Sequence, residues 1–206
     1  MGSFANRTGH KVKALADYLV ELTSGDDRRA ESAVGELLAL SGGQSAGAVA
    51  ALEGLLSAAD ADHRWWAARA LAALPHPEIP ELLIRALHDH AAPVRQCAAL
   101  GLRLHPDSQA VPALIAALDD TDHLVAELAA DALAAIGNEA VPALLEVIQK
   151  GSHPARLEAV RALATIGDTR AIPALYAALD EDSALMEYWA TEGLERMGVG
   201  MIFFKP

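Results

Sequence analysis

Read for hydrophobic and polar positions, the chain repeats itself. The segments "VPALIAALDD" (111–120), "VPALLEVIQK" (141–150) and "IPALYAALDE" (172–181) share one pattern at intervals of 30 and 31 residues. "AVAALEGLLS" from Ala48 and "IPELLIRALHD" from Ile79 extend the series toward the N-terminus. Each segment is followed by a polar loop and a second apolar-periodic stretch: "HRWWAARALAAL", "VRQCAALGLRLH", "VAELAADALAAI", "ARLEAVRALATI" and "MEYWATEGLERM". These begin at His63, Val94, Val125, Ala155 and Met186, and "RAESAVGELLAL" from Arg29 is a looser copy. Apolar residues three and four apart predict a helix for each stretch. A repeat of this length predicts helix pairs stacked in an array, because one pair cannot bury its own apolar face.

Boundary residues support the same division. Pro80, Pro112, Pro142 and Pro173 fall in the first turn of the first helices, where a missing N–H costs nothing. Asp60, Asp122, Ser152 and Ser183 occupy one equivalent place before the second helices and read as N-caps. Gly137, Gly167 and Gly198 read as C-terminal caps. The expected fold is all-α, an α-solenoid of about five helix pairs plus a degenerate N-terminal pair. Residues 1–10 read as a disordered N-terminus, 11–198 as one repeat domain and 199–206 as an apolar tail. The tail's Met201, Ile202, Phe203 and Phe204 either cover the last repeat or dock a partner.

Within the second helices, numbered one to twelve from those starting residues, position five is always Ala and position nine always Leu. Stepping round at about 100° per residue, these two form the core stripe with positions one, eight and twelve. Position three then points away from the core and position four lies on its flank. Trp65 and Tyr188 hold position three in their repeats, and Trp66 and Trp189 hold position four. Four of the nine aromatic residues thus sit at two adjacent positions of two repeats. Large rings directed away from their own core call for a neighbouring repeat or a partner. Arg64, Arg69, Arg95, Arg156 and Arg161 lie on or beside the same surface. Together they suit a flat anionic ligand or the acidic rim of a protein, and taken singly they suit bridges between repeats. Cys97 occupies position four between the aromatic repeats; a lone cysteine is either a small buried hydrophobe or a nucleophile.

Composition narrows the classes. Ala and Leu dominate a chain that is 52% hydrophobic, which fits a helical core and excludes general disorder. Sixteen Lys and Arg against 28 Asp and Glu give a net charge of −12, without a Lys/Arg run, so nucleic acid is not an expected partner. One cysteine, no signal-peptide core and no apolar run approaching the roughly 18 residues of a membrane span point to a cytoplasmic protein. The search for chemistry returns no Gly-rich phosphate loop, nucleophile elbow or HExxH motif. His88 and His90, in His-x-His spacing, and the acidic loops at 119–122 and 180–183 read as solvated turns, so no metal is expected.

The vocabulary of "VPALIAAL", "AADALAAIGN" and "EAVRALATIGD" resembles the HEAT-repeat class over roughly residues 45 to 200, and more narrowly the HEAT-like repeats of phycobilisome (PBS) lyases. A di-iron subgroup of such repeats carries His-Glu pairs early in the second helix; the matching slots here hold Trp65-Trp66, Gln96-Cys97, Glu127-Leu128, Leu157-Glu158 and Tyr188-Trp189. The resemblance implies a phycobiliprotein-binding factor acting in bilin handling, of the turnover or maturation type. A bilin lyase subunit and a general protein-binding scaffold are the alternatives. It further implies phycobiliprotein subunits or another protein as partner, a second HEAT-like subunit among the candidates, and a bilin of the phycocyanobilin type held only transiently, with no tightly bound cofactor. Under that reading the inner-face residues Arg64, Trp65, Trp66, Arg69, Arg95, Cys97, Glu127, Arg156, Glu158, Tyr188 and Trp189 form the binding surface, and no catalytic residue is assigned. The Trp65 and Tyr188 patches, four repeats apart, stand some 30 to 40 Å from one another at ordinary helix spacing, too far for one tetrapyrrole.

Overall fold

The structure is a computed structural model that describes residues 14–40, 43–181 and 183–199. The expected disordered segment 1–10 and the apolar cluster 201–204 lie outside the described residues. Within them the chain forms six antiparallel helix pairs: α1 (Leu15–Leu22) with α2 (Asp27–Leu37), α3 (Gly43–Leu55) with α4 (Ala61–Ala73), and α5 (Ile79–Ala86) with α6 (Ala92–Leu104). These are followed by α7 (Val111–Ala117) with α8 (His123–Ile136), α9 (Val141–Lys150) with α10 (His153–Ile166), and α11 (Ile172–Ala178) with α12 (Ala184–Arg196). No strand occurs among the described residues. The all-α solenoid of five pairs and one N-terminal pair is the fold the repeat predicts.

The punctuation residues perform as their chemistry requires. Asp60, Asp122, Ser152 and Ser183 each accept a hydrogen bond from a backbone N–H of the following first turn. Each satisfies a donor that the helix itself cannot. Pro80, Pro112, Pro142 and Pro173 lie in the first turns of α5, α7, α9 and α11. Gly137, Gly167 and Gly198 take φ of 79°, 71° and 74°, the left-handed region that closes helices.

The core is a column of repeats within repeats. The six position-five alanines, Ala33, Ala67, Ala98, Ala129, Ala159 and Ala190, are wholly buried, and the six position-nine leucines are 3% exposed or less. Position eight is small throughout the five regular pairs (Ala70, Gly101, Ala132, Ala162, Gly193), and that smallness lets successive second helices close on one another. These helices pack in series, α2 on α4, α4 on α6, α6 on α8, α8 on α10 and α10 on α12, and from α4 onward they do so more extensively than the first helices. The layer whose members stand closer is the inside of the curve, so the second helices line the inner face.

Gly193 shows how tight this layer is. A Cβ there would lie 2.7 Å from Ala164 Cβ and 2.8 Å from its Cα, a backbone atom that cannot swing aside. Gly35, by contrast, faces open space on α2. Replacing a mid-helix glycine by alanine gains about 1 kcal/mol in propensity, whereas overpacking costs about 1–3 kcal/mol. Gly193→Ala is therefore expected to lower stability in urea unfolding, and Gly35→Ala to raise it by up to about 1 kcal/mol.

Candidate functional site

The inner face is built from positions three, seven, ten and eleven of the second helices. At position three, Tyr188 is 57% exposed and Trp65 half-buried, and both residues contact the ring that follows them. Trp65 and Trp66 meet edge to face with centroids 4.7 Å apart and planes at 83°; Tyr188 and Trp189 do the same at 5.1 Å and 73°. In each pair the second ring is sunk deeper and wedges the first outward. Trp66 is 8% exposed and belongs to the core, and Trp189 is half-buried against it.

Two expected surface residues are therefore core residues. Trp66 and Cys97, both at position four, are buried, because this position faces the adjoining second helix and is covered by it. Burial also pushes the Cys97 thiol up to about 11, where the thiolate a nucleophile needs is scarce at neutral pH.

The arginines are spoken for as well. Arg64 donates from Nε and Nη2 to the Asp89 carboxylate at 2.6 and 2.8 Å, and from Nη1 to the carbonyls of Ala58 and Ala59. Arg95 repeats the arrangement with Asp120, at 2.7 Å for both contacts, and with the carbonyls of Asp89 and His90. Arg156 reaches Glu181 at 2.8 Å. Each joins position two of one repeat to the acidic loop of the next, so this is a ladder along the stack rather than a ligand-binding row. The hydrogen-bonded guanidinium groups hold the Asp89 and Asp120 carboxyls below their usual range.

On the inner face itself every arginine is paired: Arg69 with Glu31, Arg103 with Asp131, Arg161 with both Asp131 and Glu158, and Arg196 with Glu192. Arg161 also donates to the carbonyl of Glu127, whose own side chain is exposed. Glu158 thus pairs along α10 with the arginine that crosses to Asp131 on α8. The expectation that these arginines present free positive charge to an anionic ligand does not hold, because acidic neighbours from adjacent repeats consume it.

Two features escape the single-repeat reading. Leu100 and Leu104 on α6 are 41% and 62% exposed, at positions seven and eleven, and Leu38 after α2 is 46% exposed. A cleft of about 900 Å³ lies between the first turns of α2 and α4, lined by Trp65, Trp66, His63 and the acidic residues Asp27, Glu31, Asp60 and Asp62 among others. The leucines could have been found in the sequence, since position seven elsewhere holds Gly, Arg, Asp or Glu. The cleft could not, because it joins residues of three successive helix pairs that only stacking brings together. Among the described residues no group of His, Cys, Asp and Glu gathers so as to hold a metal ion, and no helix is long and apolar enough to cross a membrane.

Comparison with known proteins agrees with this architecture. The sequence profile of the family described as HEAT repeats matches residues 48–134 and 111–195. No curated protein matches the chain significantly. Among solved structures, it is similar to the archaeal HEAT-like repeats protein from Thermococcus onnurineus NA1, at 13% identity and a TM-score of 0.64 over 94% of this chain and 84% of that one. It is also similar to the complex of CpcE and CpcF of phycocyanin lyase from Nostoc sp. PCC7120, at 22% identity and TM-score 0.54 over 96% and 82%. A designed armadillo repeat protein in complex with peptide (KR)4 matches at 23% identity and TM-score 0.54 over 90% and 100%. At these identities the likeness is one of fold.

Proposed function

Since the chain belongs to the HEAT-repeat family, we propose that it is a protein-binding scaffold whose inner face of second helices holds a partner without making or breaking a bond. The observation that carries this reading is the set of exposed apolar side chains on the inner face, Leu100 and Leu104 on α6 and Tyr188 on α12, with the half-buried Trp65 on α4 beside the first two. Exposed apolar side chains gathered on one face mark interaction surfaces. Aromatic anchors contribute the most binding energy for the rotamer freedom they lose. The one thiol is buried and the inner-face arginines are engaged structurally, so neither is free for chemistry on a partner.

The test uses the full chain as immobilised bait beside its Leu100→Ser/Leu104→Ser variant. Both leucines are already open to water, so the exchange is expected to cost less than about 1 kcal/mol of stability. A protein partner retained by the wild type and released from the variant is the expected result. Equal retention by both would move the partner off this face.

A more specific reading is a phycobiliprotein-binding factor with a role in bilin turnover or maturation. The repeat vocabulary and the similarity in fold to the CpcE–CpcF complex support it. In this reading the partner is a phycobiliprotein subunit, and a transiently held bilin stacks on one of the two aromatic patches. Mixing the chain with chromophorylated and apo phycobiliproteins discriminates. Co-elution without spectral change fits binding alone, a shift or loss of bilin absorbance fits lyase-type chemistry, and absence of both leaves the general scaffold.

A further inference from the structure

We propose that the inner face over α2, α4 and α6 docks a basic segment of a partner protein, with its apolar side chains against Leu38, Leu100 and Leu104 and a Lys or Arg side chain in the Trp65 cleft. This rests on the scaffold reading above and adds the chemistry of the partner.

Three observations converge. First, three leucines of this face are open: Leu38, Leu100 and Leu104 are 46%, 41% and 62% exposed, and the place of Leu100 is taken in the C-terminal repeats by Asp131, Arg161 and Glu192. Second, a cleft of about 900 Å³ lies at the first turns of α2 and α4 and is lined by the half-buried indole of Trp65, a surface against which an ammonium or guanidinium group is attracted by the ring quadrupole. Third, the local charge balance has one sign. Both cations of this face are already committed, Arg69 to Glu31 at 2.6 Å and Arg103 to Asp131 at 3.6 Å. Of the carboxylates lining the cleft, Glu31 takes Arg69 and Asp60 caps α4, whereas Asp27 and Asp62 accept no side-chain hydrogen bond or ion pair among the described residues. Arg28 and Arg29 share the first turn of α2 but do not line the cleft.

Charge complementarity then selects among occupants. A second copy of a chain with net charge −12 would bring like charge to this rim. An anionic ligand would meet Asp27 and Asp62, whose charge only the N-terminal ends of α2 and α4 offset in part. A basic segment gains at both, and its apolar side chains cover the leucines, so orientation and affinity come from separate contacts.

Fluorescence anisotropy of a labelled peptide of alternating Lys and Leu, titrated with the full chain, tests this. Saturable binding that weakens with added salt is expected, with no binding of the same peptide carrying Glu for Lys. Asp27→Asn/Asp62→Asn should weaken binding about tenfold, as loss of two close charges in a partly desolvated cleft would. Glu81→Gln/Glu139→Gln removes the same charge from exposed sites on α5 and before α9, and should change binding less than about twofold. Absence of binding, equal binding of the Glu peptide, or equal effects of the two double variants would overturn the proposal. Were the peptide to fail while a partner still depended on Leu100 and Leu104, the basic occupant alone would be wrong; failure of both would remove the scaffold reading too.

Discussion

Trp66→Ala is expected to lower the unfolding free energy by about 3–5 kcal/mol, whereas Trp65→Ala, one residue away, is expected to cost about 1 kcal/mol. Trp66 is 8% exposed and packed into the core between second helices, so truncation removes its buried area and opens a cavity that its neighbours, themselves helix-bound, cannot fill. Trp65 is half-buried at the mouth of the cleft, on the edge of the core, and loses its edge-to-face contact with Trp66 and only part of a buried area, without opening an interior cavity. For a domain of this size the first change corresponds to a drop in melting temperature of about 6–20 °C and the second to about 2–4 °C. Thermal unfolding followed by circular dichroism separates them. Similar losses at both positions would mean that the two indoles share one environment.

Arg95→Ala carries the second large effect, an expected loss of about 2–3 kcal/mol. The pair with Asp120 is bidentate, with side chains 14% and 12% exposed, and the same guanidinium closes two carbonyls of the α5–α6 loop in its own helix pair. Removing it strands a carboxylate that has little water to turn to. The pH dependence has a definite sign. Asp120 has its folded pKa held below the ordinary 3.8, first by the Arg95 hydrogen bond, with Asp89 held down likewise by Arg64. Such a depressed carboxyl contributes stability that is present above its unfolded pKa and is lost as pH falls through the folded value. The gap between wild type and Arg95→Ala is therefore expected to be full above about pH 4 and to narrow at lower pH. Urea unfolding across that range measures it. A gap independent of pH would assign the loss to the carbonyl contacts or to packing of the arginine stem.

The ladder also shows what one sequence makes legible and what it does not. Position five and position nine are readable because a helix reports its own core by period alone, and Ala98 or Leu133 needs no knowledge of its neighbours to be placed. Caps are equally local: Asp122 satisfies a donor three residues on. Trp66 and Cys97 are different. Their angle on the helix puts them on a flank, and whether a flank meets water or another helix depends on how closely the next repeat approaches, which position eight controls through Ala70 and Gly101. The arginines failed as a ligand row for the same reason, since Arg64, Arg95 and Arg156 spend their charge on Asp89, Asp120 and Glu181 in the following repeat. That constant offset was present in the sequence as a signal. The acidic cleft had no such signal, because Asp27 and Asp62 come together only across the α2–α4 contact.

What survives of the sequence-derived surface is the outward pair, Trp65 and Tyr188, joined now by Leu100 and Leu104. The most direct measurement of the account is the double variant Trp65→Ala/Tyr188→Ala, assayed in parallel for unfolding in urea and for affinity toward the partner protein that the wild-type chain retains. A stability loss of no more than about 2 kcal/mol together with binding weakened by about 2 kcal/mol or more is expected. Undiminished binding accompanied by a stability loss of about 4 kcal/mol or more would contradict it, because both rings would then belong to the interior of the stack.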